Sequence, residues 1–100
     1  MSGEEAVFHV YIMASGRNGT LYIGMTDDLN RRVWEHQTEA RRGFTQRYGV
    51  HRLVWSEQHA SRETAFARER AMKKWSRAWK LKVIEAGNPD WRDLAFDLEP

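Results

Sequence analysis

A chain of 100 residues is long enough for one modest hydrophobic core, and the absence of cysteine excludes a disulfide framework or a thiolate metal site. No run approaches the roughly 18 apolar residues of a membrane span, and the acidic start MSGEEA is no signal peptide, so a cytoplasmic, non-membrane protein is expected. Net charge is only +2, but residues 31–82 hold 14 Lys and Arg against 5 acids, which suits a polyanion partner or simply a solvated helical surface.

Residues 7–14, VFHVYIMA, are rich in β-branched and aromatic side chains and predict a strand. SGRNGT follows, and Asn18-Gly19 is a strong hairpin signal, so LYIGM returns antiparallel to the first strand. Period-2 alternation then sets Tyr11 and Tyr22 on equivalent or neighbouring faces. Thr26, Asp27 and Asp28 supply caps for a helix over about 28–40, with Leu29 and Val33 as its inward stripe. ARRGFTQRYGV reads as a polar loop and HRLVWSEQ, 51–58, as a third strand.

Ser61 is a plausible N-cap for a helix over 62–75, with Phe66, Ala67, Ala71, Met72 and Trp75 as its apolar face. Ser76 re-caps a second segment, 77–86, with Trp79, Val83 and Ile84 or Leu81 inward. Gly87 suits a helix C′ position, Asn88-Pro89 forces a turn, and DWRDLAF closes the domain as a short helix. The order ββαβααα indicates an α+β fold: a single domain over 1–100 with a small central three-stranded antiparallel sheet flanked by helices.

Candidate chemistry concentrates early in the chain. Arg32 and His36 are four apart and share a helix face, a guanidinium suited to phosphate beside a group that moves protons near neutral pH. The bland alternative is a surface Arg and a half-buried His. Tyr11 and Tyr22 read equally as core residues, Glu69 as a surface partner of Lys73, and Asn88 as a turn former. None of the four histidines has zinc-site spacing; His9 reads as packing, His51 and His59 as surface or loop residues. Trp55, Trp75 and Trp79 read as packing and Trp91 as an anchor for the C-terminal segment, while Trp34 either packs or stacks on a base.

Taken in order, HVY and YIG, then DLNRRVWEH, FTQRYGVHRLVW, ARERAMKKWSRAWK and NPDWRDL, resemble the GIY-YIG endonuclease family, and most closely its small stand-alone bacterial members. The resemblance spans about residues 8–95. It implies metal-dependent hydrolysis of DNA phosphodiester bonds that leaves 5′-phosphate and 3′-hydroxyl ends. By position, Tyr11 would be the general base or orient the attacking water, and Tyr22 would bond that water or the scissile phosphate. Arg32 would stabilise charge on phosphorus, His36 would donate or relay a proton, and Glu69 would be the sole protein ligand of one Mg²⁺ or Mn²⁺. Asn88 would be a further nucleic-acid contact. Arg31, Arg41, Arg42, Arg47, Lys73, Lys74, Arg77, Lys80 and Lys82 would meet backbone phosphates, which position a strand without encoding sequence.

A tyrosine with a pKa near 10 is a poor base at pH 7, so nearby Arg32 and the metal are expected to lower it and activity to rise with pH. Two departures stand out: His9 occupies the first glycine of the name motif, and Met25 follows YIG where many relatives carry a basic residue. No length is left for a separate DNA-binding module. Branched, flapped or single-stranded DNA, as met in DNA repair, is therefore the expected substrate, with a protein partner or homodimer left open. Two rivals remain: a catalytically silent nucleic-acid-binding module, and a protein-interaction domain using its aromatic surface.

Overall fold

The computed structural model describes residues 7–41 and 49–98. Strands β1 (Phe8–Ala14), β2 (Leu21–Thr26) and β3 (Arg52–His59) form one antiparallel sheet in the order β2-β1-β3. Helices α1 (Leu29–Arg41), α2 (Arg62–Lys73) and α3 (Arg77–Gly87) surround it, and a 3₁₀ turn spans Leu94–Asp97. This is the α+β arrangement expected. No described helix is long and apolar enough to cross a membrane.

Local chemistry explains the boundaries. Asn18 takes a left-handed φ of 57°, which turns the hairpin. Arg77 Nη2 donates to the Asn18 and Gly19 carbonyls at 2.8 and 2.7 Å, fastening that turn to α3. Asp28 Oδ1 accepts from the Arg31 amide at 3.2 Å and so caps α1. Ser61 and Ser76 cap α2 and α3 as expected, through the amides of Thr64 and Trp79. Gly87 is the last residue of α3 and Asn88 the cap, one position later than the sequence indicated.

The alternation of β1 divides the interior in two. Val10 and Ile12 point into a core with Ile23, Val54, Ala65, Met72, Ile84 and Trp91, beneath α2 and α3. Tyr11 and Met13 point the other way, into a smaller core with Leu29, Val33, Val50 and Leu53, beneath α1. Asp93 closes the smaller core. Its carboxylate accepts from the Leu53 amide at 3.1 Å, from the Ala95 amide at 3.0 Å and from Gln37 Nε2 of α1 at 3.2 Å.

Two expectations about helix faces are corrected. The inward residues of α2 are Ala65 and Met72, whereas Phe66 is 49% exposed and Ala67 and Ala71 face solvent. The small side chain of Ala65 lets α2 lie close on the sheet, and that contact fixes the helix phase. On α3, Ile84 is buried and Leu81 and Val83 are partly covered; Trp79 stands 63% exposed, edge-on to Trp75 at 5.8 Å.

Asn88 is placed inside the protein rather than on its surface. Nδ2 donates to the carbonyls of Val54 (3.2 Å) and Arg92 (2.9 Å), and Oδ1 accepts from the Arg92 amide at 3.0 Å. The side chain expected to contact nucleic acid thus has its polar atoms bonded internally in this structure. It braces Trp91, which is fully buried in the left-handed region at φ 56°, a strained conformation for a non-glycine residue. Trp91 Nε1 donates to Glu85 Oε2 at 2.7 Å, and Arg52 Nη1 donates to the Trp91 carbonyl at 2.9 Å.

Replacing Asn88 with Ala removes the side-chain partner of three backbone groups, the buried Val54 carbonyl among them, and is expected to destabilise the fold by about 2–4 kcal/mol. Thermal unfolding checks this: Tm should fall by roughly 8 °C or more, whereas loss of a mere surface contact would leave Tm unchanged.

Candidate active site

Tyr11 sits mid-strand on the central strand and is only 1% exposed. Its ring reaches over β2 at Gly24, its register partner. A Cβ added to Gly24 would lie 2.6 Å from the Tyr11 hydroxyl oxygen and 2.9 Å from Cε1 of Tyr22. The glycine of the YIG triplet is therefore there for space: only a residue without a side chain lets the phenol pass.

His36 approaches the same hydroxyl from α1, Nε2 lying 3.2 Å from Tyr11 Oη. Its own exposure is 5%. Tyr22, at the sheet edge and 39% exposed, completes an aromatic triangle: its ring centroid is 6.1 Å from that of Tyr11 and 4.9 Å from that of His36. Buried phenol and imidazole thus share one hydrogen bond, with the second phenol as their solvent-facing wall.

Arg32 stands one helical turn before His36. Its Nη1 donates to Glu35 Oε1 at 2.9 Å, while Arg31 Nε donates to Glu35 Oε2 at 3.3 Å. Glu35 therefore holds both guanidiniums, and their donors, Arg32 first, keep its carboxyl below its usual pKa. Burial opposes the charge of Arg32, but Tyr11, Glu35 and Tyr22 outweigh it and raise the guanidinium pKa further. Thr26, Asp27, Asp28, Arg31, Arg32 and Glu35 line an open groove of about 500 Å³.

From the chain's own groups, the Tyr11 pKa moves upward, against the direction expected from Arg32. Burial is the largest influence and pushes the phenol well above its ordinary 10.0; Tyr22 adds to the rise, and Arg32 opposes both without prevailing. A phenolate loses more from desolvation than one guanidinium, shared with Glu35, restores. Tyr11 is consequently a neutral phenol at physiological pH.

Glu69 is not in this triangle. It belongs to α2, which packs on the opposite face of the sheet, and lines a second groove of about 370 Å³ with Phe8, Met25, Thr26, Asp27, Arg62 and Phe66. Thr26 and Asp27, at the C-terminal end of β2, line both grooves. The Glu69 side chain is 13% exposed and accepts from Lys73 Nζ at 3.0 Å. Among the described residues no group of three or more His, Cys, Asp or Glu is placed to hold a metal ion. A lone carboxylate such as Glu69 would suit only a hard cation that keeps most of its waters.

The remaining sequence candidates scatter. Lys74 and Lys82 are exposed, Lys80 is half-buried and Lys73 is paired with Glu69, while the guanidinium of Arg77 is taken by the hairpin turn. Arg42 and Arg47 lie outside the described residues, as does the side chain of Arg41. Trp34 is 61% exposed rather than packed. His9 is half-buried, with burial and then His59 lowering its pKa. Residues missed at first are Glu35, whose i+3 and i+4 spacing from Arg32 and Arg31 was legible, and Thr26 and Asp27, whose position between two grooves was not.

A family comparison decides the assignment: residues 7–82 match the GIY-YIG catalytic domain. The chain belongs to the GIY-YIG family. Relatives include a UPF0213 protein of Staphylococcus epidermidis, 30% identical over 79% of this chain and 96% of its own length. Another, from Staphylococcus aureus, is 35% identical over 76% of this chain and 92% of its own length. A UPF0213 protein of Desulfotalea psychrophila is 30% identical over 93% of this chain and 84% of its own length. No solved structure matches the chain. A GIY-YIG catalytic domain implies nuclease-type chemistry on DNA, generally dependent on a divalent metal.

The raised phenol carries a pH consequence. Above pH 10 the unfolded chain releases the Tyr11 proton while the folded chain retains it, so stability is complete below that pH and falls as pH rises beyond it. Denaturant titrations between pH 9 and 11 should show this decline, and Tyr11→Phe should flatten it.

Proposed function

We propose that this GIY-YIG protein is a metal-dependent DNA endonuclease, a single catalytic domain whose core spans about residues 8–95. Its substrate is chosen by shape rather than by sequence. The observation that carries the reading is the Tyr11–His36 hydrogen bond at 3.2 Å, beside Tyr22 and Arg32 at the rim of a solvent-open groove.

Hydrolysis of a phosphodiester needs a deprotonated water in line with the leaving 3′ oxygen and neutralisation of the pentacovalent phosphorane. In this reading Tyr11 acts with His36 rather than as a base alone. Its hydroxyl passes its own proton to His36 Nε2 as it takes one from the attacking water, which leaves Tyr11 neutral and the imidazole protonated. This route needs the His36 tautomer in which Nε2 is bare. Tyr22 bonds the water or a non-bridging oxygen. Arg32 turns from Glu35 to the phosphate and meets the charge that grows on it.

Glu69 is the residue that would hold a Mg²⁺ or Mn²⁺ ion, and such an ion supplies Lewis-acid relief of charge on the leaving oxygen. Lys74, Lys80 and Lys82 add backbone contacts that strengthen binding and make it salt-sensitive. Branched or flapped DNA of the kind handled in repair would present the necessary accessible strand.

Cleavage of supercoiled, flapped and single-stranded DNA in Mg²⁺ or Mn²⁺ tests the reading. Arg32→Ala should lower the rate by about 10²–10³-fold, and Glu69→Ala should abolish metal stimulation. Tyr11→Phe and His36→Ala should each slow the reaction by about 10²–10⁴-fold, and the double variant should be no slower than the worse single, because the two side chains form one relay. Additive losses would show separate roles. Binding without cutting by the parent protein would identify the silent module instead.

A further inference from the structure

Phe66 is a large apolar side chain that neither core employs. It remains 49% exposed on α2, where Ala65 and Met72 make the fully buried contacts with the sheet. A single exposed phenylalanine is ordinary on a protein surface. Its position is what distinguishes this one: it forms a wall of the groove that also contains Glu69, and that groove shares Thr26 and Asp27 with the Arg31–Arg32 groove.

The surroundings combine aromatic rings with guanidiniums, beside the carboxylates of Asp27 and Glu69. Arg70 lies over the Phe66 ring at 5.5 Å from its centroid, and Arg62 lies over Phe8 at 5.0 Å. Aromatic rings interleaved with guanidiniums are the combination that holds a nucleobase by its face and its phosphate by charge. The groove, at about 370 Å³, is near the low end of the roughly 300–1,000 Å³ of small-molecule sites, a size for one nucleotide rather than a stacked pair.

We propose that Phe66 is a stacking platform for one unpaired nucleobase, adjacent to the phosphate gripped at Arg32; this subsite rests on the nuclease reading for its neighbour. Inside a duplex both faces of every base are covered by its neighbours, so a base reaches Phe66 only from a single strand, a flap or a flipped-out nucleotide. The platform thereby supplies shape selection. Sequence tolerance follows, since every base has a π-face.

The test measures affinity, not cutting, by fluorescence anisotropy in EDTA with a short single-stranded oligonucleotide and a matched blunt duplex. Phe66→Ala should weaken single-strand binding about tenfold and leave the duplex within about twofold, with an unchanged salt slope because no phosphate contact is lost. Phe66→Tyr should bind as the parent does, which guards against misfolding as the cause. An abasic nucleotide walked along the strand should erase the Phe66→Ala penalty at one position. Equal affinity of Phe66→Ala and parent for the single strand overturns the platform, as does an equal loss on duplex and on every abasic strand. A parent that binds through Phe66 yet cuts nothing would sink the nuclease reading and leave the platform standing.

Discussion

Burial of the Tyr11 phenol is the constraint on which the site is built. A hydroxyl taken almost wholly out of water needs a partner, and His36 Nε2 provides it at 3.2 Å. That bond acts with the burial of Leu29 and Val33 to set the inward face of α1. It also demands the bare backbone of Gly24 beneath the ring. Once α1 is so oriented, Arg32 is carried one turn away to the rim of the groove, where it meets Tyr22 and solvent together.

The two-sided sheet separates stability from chemistry. The larger core, around Val10, Ile12, Met72, Ile84 and Trp91, is built from apolar side chains with Asn88 bonded at its edge. The smaller one includes Tyr11 among its buried members and is closed by Asp93 rather than by more apolar bulk. Glu69 lies on the opposite face of the sheet, so the two phenols and this carboxylate belong to different layers of the molecule. Thr26 and Asp27, where β2 gives way to α1, are the seam between them.

Much of this was visible in the residues themselves. Strand alternation, the Asn18-Gly19 turn, the Ser61 and Ser76 caps and the four-residue step from Arg32 to His36 are local signals, and the structure follows them. What escaped was set by distant contacts. Ala65 rather than Phe66 faces inward because the sheet selects the small residue for close approach. Asn88 looked like a turn former in NPDW, yet its amide answers Val54 on a strand 34 residues earlier. The direction of the Tyr11 pKa could not be read from Arg32 alone, since it depends on how much water the fold removes and on a carboxylate, Glu35, that shares the guanidinium.

The fastening of the first hairpin to α3 reaches further than its position suggests. Arg77 belongs to the basic stretch, but its guanidinium grips the carbonyls of Asn18 and Gly19. Side chains on β2 alternate in parity, so a slip of a single position against β1 would turn Tyr22 toward the other layer and bring Leu21 or Ile23 out in its place. Backbone pairing would survive such a slip nearly intact; the triangle of rings would not. A cation on a helix that never touches the phenols therefore acts as a key that keeps the odd and even positions of their strand from trading places.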